Sequence, residues 1–356
     1  MIESFEIQNY RLFKHLKIEK LGRVNLITGK NNLGKTTLLE ALWLYFTKGF
    51  INSLKTIFYY RDNYSSKINY YIDKLYYDFN STNNISLGPI SDQNKLIIGV
   101  VSFIEEWDET RTHFTRRFIP IQSAISPIQN VGIKIDFNEQ MVYLIPITAQ
   151  FPLIENEIKK EYIIDHSIST CYYIPPQGMP TTLLTSLWDN IALSEKEEIV
   201  ISSLNNFFPG IEGIRPVNHP ERKEERQFVI KIKNKMPFPI SVMGDGIKKI
   251  MNIIIPLANA ANGIVCVDEI ENGVHYSIHQ KLWEIILDFA EKLDIQVFAT
   301  THSWDCIDGF QRALNSFPDP SQGLLVRLSK RQDEIIATPF DARELAIATR
   351  ENIEVR

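Results

Sequence analysis

Eight consecutive residues, Gly29-Lys30-Asn31-Asn32-Leu33-Gly34-Lys35-Thr36, constrain this chain more than any other stretch. An apolar run, Val24-Asn25-Leu26-Ile27, precedes them, and a helical pattern from Thr36 to Leu44 follows. A G-x-x-x-x-G-K-[ST] run between a strand and a helix is a phosphate-binding loop. Gly29 and Gly34 allow the backbone to curl so that consecutive N–H groups, those of Asn31 and Asn32 among them, point inward at a β-phosphate. The helix N-terminus adds its partial positive charge at the same place. Lys35 reaches the β- and γ-phosphates, the Thr36 hydroxyl is a ligand for Mg²⁺, and Thr37 stands just behind. The expected ligand is ATP with Mg²⁺.

Bulk properties narrow the setting. A chain of 356 residues exceeds the usual single-domain range and suits an α/β core carrying an inserted subdomain. With 38 basic against 43 acidic side chains the formal charge is −5, which gives no global electrostatic case for nucleic acid and leaves only local basic patches to consider. The cysteines Cys171, Cys266 and Cys306 lack C-x-x-C spacing and argue for a reducing compartment, against a disulfide frame or zinc site. The longest apolar run, residues 253–261, contains Pro256 and Asn259 and is far too short to cross a bilayer. No basic or apolar leader follows Met1, so the chain reads as cytosolic, without a membrane partner.

In chain order, the pattern predicts two strands before residue 20, with Phe5, Ile7, Leu16 and Ile18 on one face and a turn at Asn9-Tyr10-Arg11. A tyrosine-rich stretch runs from Phe58 through Tyr70-Tyr71 to Phe79. It reads as a loop and short helix packing on the core, with a stacking platform for single-stranded nucleic acid as the alternative. Residues 80–94, rich in Asn, Ser and Gly, read as an exposed loop. Strand patterns then run from Leu96 to Val101, Phe114 to Ile121, Val131 to Phe137 and Met141 to Ile145, the makings of a small antiparallel sheet. Arg111, His113, Arg116 and Arg117 give that sheet either a solvated basic face or a DNA contact. A strand from Ser167 to Pro176 precedes helices from Thr181 to Leu193 and Glu197 to Phe208, the second opened by a capping box at Ser194 and Glu197. An edge-type strand is expected from Gln227 to Lys233. After His302 the expectation is a helix, a strand at Leu324 to Leu328, and a tail from Glu344.

The C-terminal third supplies the acids. Ser241-Val242-Met243-Gly244-Asp245-Gly246 opens a long helix, a second glycine-lined anion seat in a chain that already has one. Gly263 to Val267 is an apolar run ending in Asp268-Glu269. That is the pattern of a buried parallel strand delivering carboxylates to its C-terminal edge, where α/β sheets bind ligands. There Asp268 holds Mg²⁺ through water, and Glu269 polarises the attacking water as general base. Ile295 to Thr301 is another buried strand, tipped by His302, whose neutral imidazole reaches the γ-phosphate or the water.

With its P-loop, glycine signature, Asp-Glu strand and His strand in this order, the chain resembles the ATP-binding-cassette class of ATPases, and within it the OLD/RecF/SMC-like branch. Phe5-Glu6-Ile7-Gln8-Asn9-Tyr10-Arg11 and Asp268-Glu269-Ile270-Glu271-Asn272-Gly273-Val274-His275 are similar to that branch's usual forms. The resemblance implies an α/β P-loop NTPase fold, an ABC-type head with an antiparallel β subdomain and a helical insertion. It implies a single domain over 1–356, divided into an N-terminal lobe (1–150), a helical arm (151–226) and a C-terminal lobe (227–356). It also implies a head-to-head homodimer, or a higher homo-oligomer, with ATP between the P-loop of one subunit and Ser241, Gly244 and Gly246 of the other. Two features depart from the pattern: Met243 stands where a transporter-type signature has Ser, and Gln177 alone offers itself for a Gln-loop. OLD-type relatives carry a Toprim nuclease domain after the ATPase. The stretch after His302 is too short for one, so any such nuclease is expected as a separate polypeptide.

Three functions compete. The first is an ATP-hydrolysing switch that closes on Mg-ATP and controls a partner effector, in anti-phage defence or DNA repair by analogy with the branch. The second is the motor of a membrane transporter, disfavoured by the signature and the N-terminal strands. The third is an ATP-dependent oligomeric scaffold that sequesters a partner with little turnover, disfavoured by the presence of Glu269 and His302.

Overall fold

The computed structural model describes residues 1–62, 72–107, 114–119, 130–146, 170–222, 225–351 and 353–356. Its centre is a six-stranded sheet in the order Glu334–Phe340, Gly323–Arg331, Val24–Thr28, Gln296–Thr300, Ile264–Val267, Cys171–Ile174. All neighbours pair in parallel except the first two. Val24–Thr28, Ile264–Val267 and Gln296–Thr300 are buried at every position. Each reads as a continuous apolar run because both sheet faces are covered. On one face, Val265, Val267, Val297 and Ala299 pack against helices Asp245–Asn259, His279–Lys292 and Trp304–Ser316. On the other, Ile264, Cys266 and Phe298 pack against the helix that follows the P-loop, Lys35–Phe46.

That helix is buried nearly all round, Leu38, Leu39, Ala41, Leu42 and Leu44 among its covered residues. Its outer side is closed by a second, antiparallel sheet of seven strands, ordered Phe13–Ile18, Phe5–Tyr10, Ile85–Gly88, Leu96–Trp107, Asn130–Phe137, Gln140–Pro146, with Phe114–Ile119 paired to the outer half of Leu96–Trp107. Asn138 and Glu139, at φ 53° and 63°, form the two-residue turn between Asn130–Phe137 and Gln140–Pro146. Positive φ at both positions matches the twist of an antiparallel pair. The P-loop helix is thus clamped between two sheets, which holds its N-terminus rigidly against the parallel strands.

The structure amends several expectations. The first strand runs through Tyr10, and the turn falls at Arg11-Leu12. Asn9 adopts a left-handed conformation (φ 56°) and shifts the inward-facing phase from Phe5 and Ile7 to Tyr10. Asn tolerates that region, so the residue marked a kink within a strand and not its end. The supposed loop 80–94 contains Ile85–Gly88, a central strand of the antiparallel sheet with Ile85 and Leu87 fully buried. The segment expected to be a helical arm does hold helices Thr181–Ile191 and Glu195–Asn205. It also supplies Cys171–Ile174 to the central sheet and Ile211–Asn218 to a three-stranded sheet with Arg226–Ile232 and Phe238–Pro239. Ser194 does not cap its helix; its hydroxyl donates to Ile191 O, and Glu197 accepts from Leu193 N instead. A complete capping box forms elsewhere, between Asp341 and Glu344, opening helix Ala342–Arg350 in what read as a tail. Of the tyrosine-rich stretch, Phe58 and Tyr76 are buried while Tyr59 and Phe79 are exposed. Tyr70, Tyr71, Arg111 and His113 lie outside the described residues. Among the described residues no helix is long and apolar enough to cross a membrane.

Glu6, on the first strand, ties this outer sheet together: its carboxylate meets His15 Nε2 at 2.9 Å and Lys95 Nζ at 2.9 Å. Burial alone would raise its pKa, but the hydrogen bonds from His15 and Lys95 outweigh it and lower the value from 4.5 to about 2. A depressed carboxylate stabilises the fold above its unfolded pKa and loses that contribution as pH falls through its folded one. Glu6→Gln is therefore expected to cost about 1 kcal/mol at neutral pH. The gap from the unaltered protein should narrow as pH falls from 4.5 toward 2. Urea denaturation at a series of pH values measures it, and a gap independent of pH contradicts the assignment.

Candidate nucleotide site

The P-loop leaves the end of Val24–Thr28 and re-enters regular structure at Lys35. Gly29 takes φ 145°, and a Cβ on it would lie 2.7 Å from Leu328 O. Gly34 takes φ 87°, and a Cβ there would lie 2.6 Å from the Phe13 ring. Both positions need glycine for backbone conformation and for space. Asn32 also takes a left-handed φ of 64°, and Lys30, Asn31 and Asn32 are exposed at the mouth of the loop. Lys35 Nζ donates to Gly29 O at 2.6 Å and to Lys30 O at 3.1 Å, so its charge lies across the loop. Burial lowers the Lys35 pKa, while the charges of Asp268, Glu271 and Glu269 oppose that shift.

The parallel register brings the acids to the same edge. Val267 pairs with Ala299 and Thr300 with Ile27, so Asp268, Thr300 and the start of the P-loop lie side by side. Thr36 Oγ1 donates to Asp268 Oδ2 at 2.8 Å, and Thr300 Oγ1 donates to Asp268 Oδ1 at 2.5 Å. Tyr173, whose ring stacks on Trp43 at 5.1 Å, adds a longer contact from its hydroxyl to Asp268 Oδ2 at 3.4 Å. Glu269 is half-buried in a left-handed conformation (φ 48°), with its backbone N–H donating to Thr300 Oγ1 at 2.8 Å. A left-handed glutamate is strained by about 1–3 kcal/mol and persists only where neighbours impose it. His302 follows Gln296–Thr300 and is exposed, its Nδ1 lying 3.1 Å from Glu271 Oε1. Thr37 is buried, its hydroxyl accepting from Arg61 Nη2 at 3.3 Å.

The donor set fits Mg²⁺. The Thr36 hydroxyl and the Asp268 carboxylate are hard oxygen donors that meet at 2.8 Å on one sheet edge, where the hydroxyl would bind the ion and the carboxylate would hold it through water.

Ser241, Gly244 and Gly246 do not join this cluster. Ser241 and Gly244 are exposed, and a Cβ on Gly244 would meet nothing within 4 Å. Gly246 sits beside the loop after Asp268, with a Cβ 3.8 Å from Gly273 O. Gln177 lies exposed just beyond Cys171–Ile174, the strand next to Ile264–Val267, which puts it on the correct sheet edge for a Gln-loop.

Sequence reading missed four parts. Thr300 and Tyr173 sit in apolar strands with nothing to mark them. Lys249 is buried on the helix after the signature, with burial lowering its pKa while Glu271, Asp268 and Glu269 pull it upward. Glu40, buried on the P-loop helix, clasps Arg11 at 3.3 Å and Arg61 at 2.9 Å. These arginines, with Phe13, Asn32 and Thr37, line a cavity of ≈ 840 Å³ beside the P-loop.

The sequence model of the AAA ATPase domain family matches residues 1–171 and 181–307. The chain belongs to this family. It is 26% identical to an ATP/GTP phosphatase of Helicobacter pylori over 97% of both chains, and 42% identical to the DNA replication and repair protein RecF of Clostridioides difficile over 50 residues, 14% of each. In fold it is similar to an SMC head solved bound to the C-terminal winged-helix domain of ScpA, with TM-score 0.51 and 14% identity over 96% of this chain and 97% of that one. The chain is thus an ABC-class P-loop ATPase of the RecF/SMC-like branch, with an SMC-head-like α/β fold.

Gly34→Ala is expected to weaken ATP binding at least tenfold, about 1.4 kcal/mol, because the added methyl strikes Phe13 and strains the helix start. Calorimetric titration of the nucleotide decides it; an unchanged Kd contradicts the cradle geometry.

Proposed function

We propose that this ATPase is a nucleotide-driven switch that closes head to head on Mg-ATP and reopens on hydrolysis. The observation that carries the reading is the Thr36–Asp268 contact at 2.8 Å, which joins the P-loop helix to the acid-bearing strand at one sheet edge. In this reading the backbone N–H groups of Gly29 to Thr36, with Asn31, Asn32 and Thr37 in support, hold the β-phosphate, and Lys35 leaves its carbonyl partners to bridge the β- and γ-phosphates. Thr36 and Asp268 would hold Mg²⁺, which supplies charge neutralisation on the phosphate oxygens. Glu269 accepts a proton from water as the water oxygen bonds to the γ-phosphorus and the bond to ADP breaks. His302 contacts the γ-phosphate or that water. The adenosine occupies the cavity beside Arg11 and Phe13.

Exposure of Ser241 and Gly244, apart from the phosphate cradle, supports their acting on the nucleotide of a second subunit. Closure and ATP binding are then one linked equilibrium. Control of a separate effector, a Toprim-type nuclease or a winged-helix protein, in anti-phage defence or DNA repair, is the finer part of the proposal. The likeness to RecF supports the DNA-repair reading and the SMC head bound to a partner supports an effector; the nuclease and the anti-phage setting rest on the resemblance to OLD-type proteins alone. The alternative of a scaffold with little turnover is disfavoured by Glu269 and His302, and by the strained left-handed backbone that carries the Glu269 carboxylate, which a pure binder does not need.

Mixing two variants tests the trans arrangement. Lys35→Ala is expected to lose ATP binding, and Gly246→Arg to bind ATP without turning it over. A mixed dimer pairs the intact P-loop of one subunit with the intact signature of the other, so mixing should restore turnover. Two silent variants that stay silent together would contradict action in trans.

A further inference from the structure

Glu271 is a buried carboxylate with no role in the scheme above. Its side chain is 11% exposed, and backbone hydrogen bonds on either side hold its position: Ile270 N donates to Thr300 O at 3.1 Å and Val274 N to Glu271 O at 3.0 Å. Glu271 Oε1 accepts the backbone N–H of His302 at 3.0 Å and lies 3.1 Å from His302 Nδ1. Oε2 is buried and has no hydrogen-bond partner among the described residues. The 3.1 Å approach of Nδ1 is an ion-pair distance, and the hydrogen bond that joins the two residues is the one from the His302 backbone N–H. The His302 ring is 56% exposed and would otherwise turn between rotamers. The hydrogen bond to Glu271 Oε1 fixes the backbone of His302 and keeps the ring beside the carboxylate.

We infer that Glu271 is the positioning residue for His302: by accepting its backbone N–H it sets where the imidazole stands at the strand end, facing the attacking water. Water has two protons; Glu269 takes one, and a ring nitrogen of His302 accepts a hydrogen bond from the other, which fixes the oxygen lone pair on the line to the γ-phosphorus. The inference rests on the reading of His302 given above.

A double-mutant cycle on kcat and KM tests it. Glu271→Ala and His302→Ala are each expected to lower kcat about tenfold or more with KM within about twofold, and the double variant to be no slower than His302→Ala. Losses that multiply would overturn the inference, since Glu271 would then act independently of His302. Full turnover in Glu271→Ala beside a slow His302→Ala would also overturn it while leaving the role of His302 intact. Full turnover in His302→Ala would instead overturn that role. Glu271→Gln keeps an oxygen for the His302 N–H in the same space, so it separates loss of positioning from loss of folding. Turnover within about twofold of the unaltered protein is expected, and a loss as large as that of Glu271→Ala overturns the inference.

Discussion

The Asp268 carboxylate is gripped at one oxygen by Thr36 and at the other by Thr300, and this short chain of hydrogen bonds ties the nucleotide loop to the two strands beside it. Each donor arrives from a different part of the sequence, and none is useful unless the strands stand in register. The parallel pairing of Val24–Thr28, Gln296–Thr300 and Ile264–Val267 supplies that register, and burial on both faces holds it. Slippage by one residue would point the acid into a core.

The two-sheet clamp on Lys35–Phe46 serves the same end. A helix whose N-terminus binds phosphate must keep its first N–H groups aimed while charge is drawn toward them. Here the helix is packed on opposite sides by apolar residues of both sheets, so it resists rotation better than an amphipathic surface helix. The glycines work in the opposite sense: Gly29 and Gly34 bring the loop close to Leu328 and Phe13, with no room for a side chain.

Much of this was legible in the sequence, and the limits have physical causes. The P-loop, the Asp268-Glu269 strand end and the His302 strand end were readable because each joins a continuous apolar run to a polar terminus, a pattern only a doubly covered strand produces. Thr300 and Tyr173 were not, since a threonine or tyrosine in a strand is ordinary β composition and only pairing reveals what its hydroxyl meets. Ile85–Gly88 was lost because four residues inside a polar segment carry too little periodicity, although Ile85 and Leu87 are buried completely. Asn9 was misread because the same left-handed preference that makes a turn can kink a strand. Lys249 and the Glu40 clasp could not be found by spacing, because each acts across elements far apart in the chain; Glu271 stood in the Asp268–His275 run, but its partner His302 lies on another strand end.

The measurement that bears most directly on the switch is the solution mass of Glu269→Gln by light scattering, with and without ATP and Mg²⁺. That substitution keeps the phosphate cradle and removes the base, so a closed state accumulates. A doubling of mass on adding ATP with Mg²⁺, reversed by ADP, is the expected result. A mass unchanged by nucleotide while ATP is demonstrably bound would contradict closure between subunits, and ATP would then act by reshaping a subunit and not by joining two.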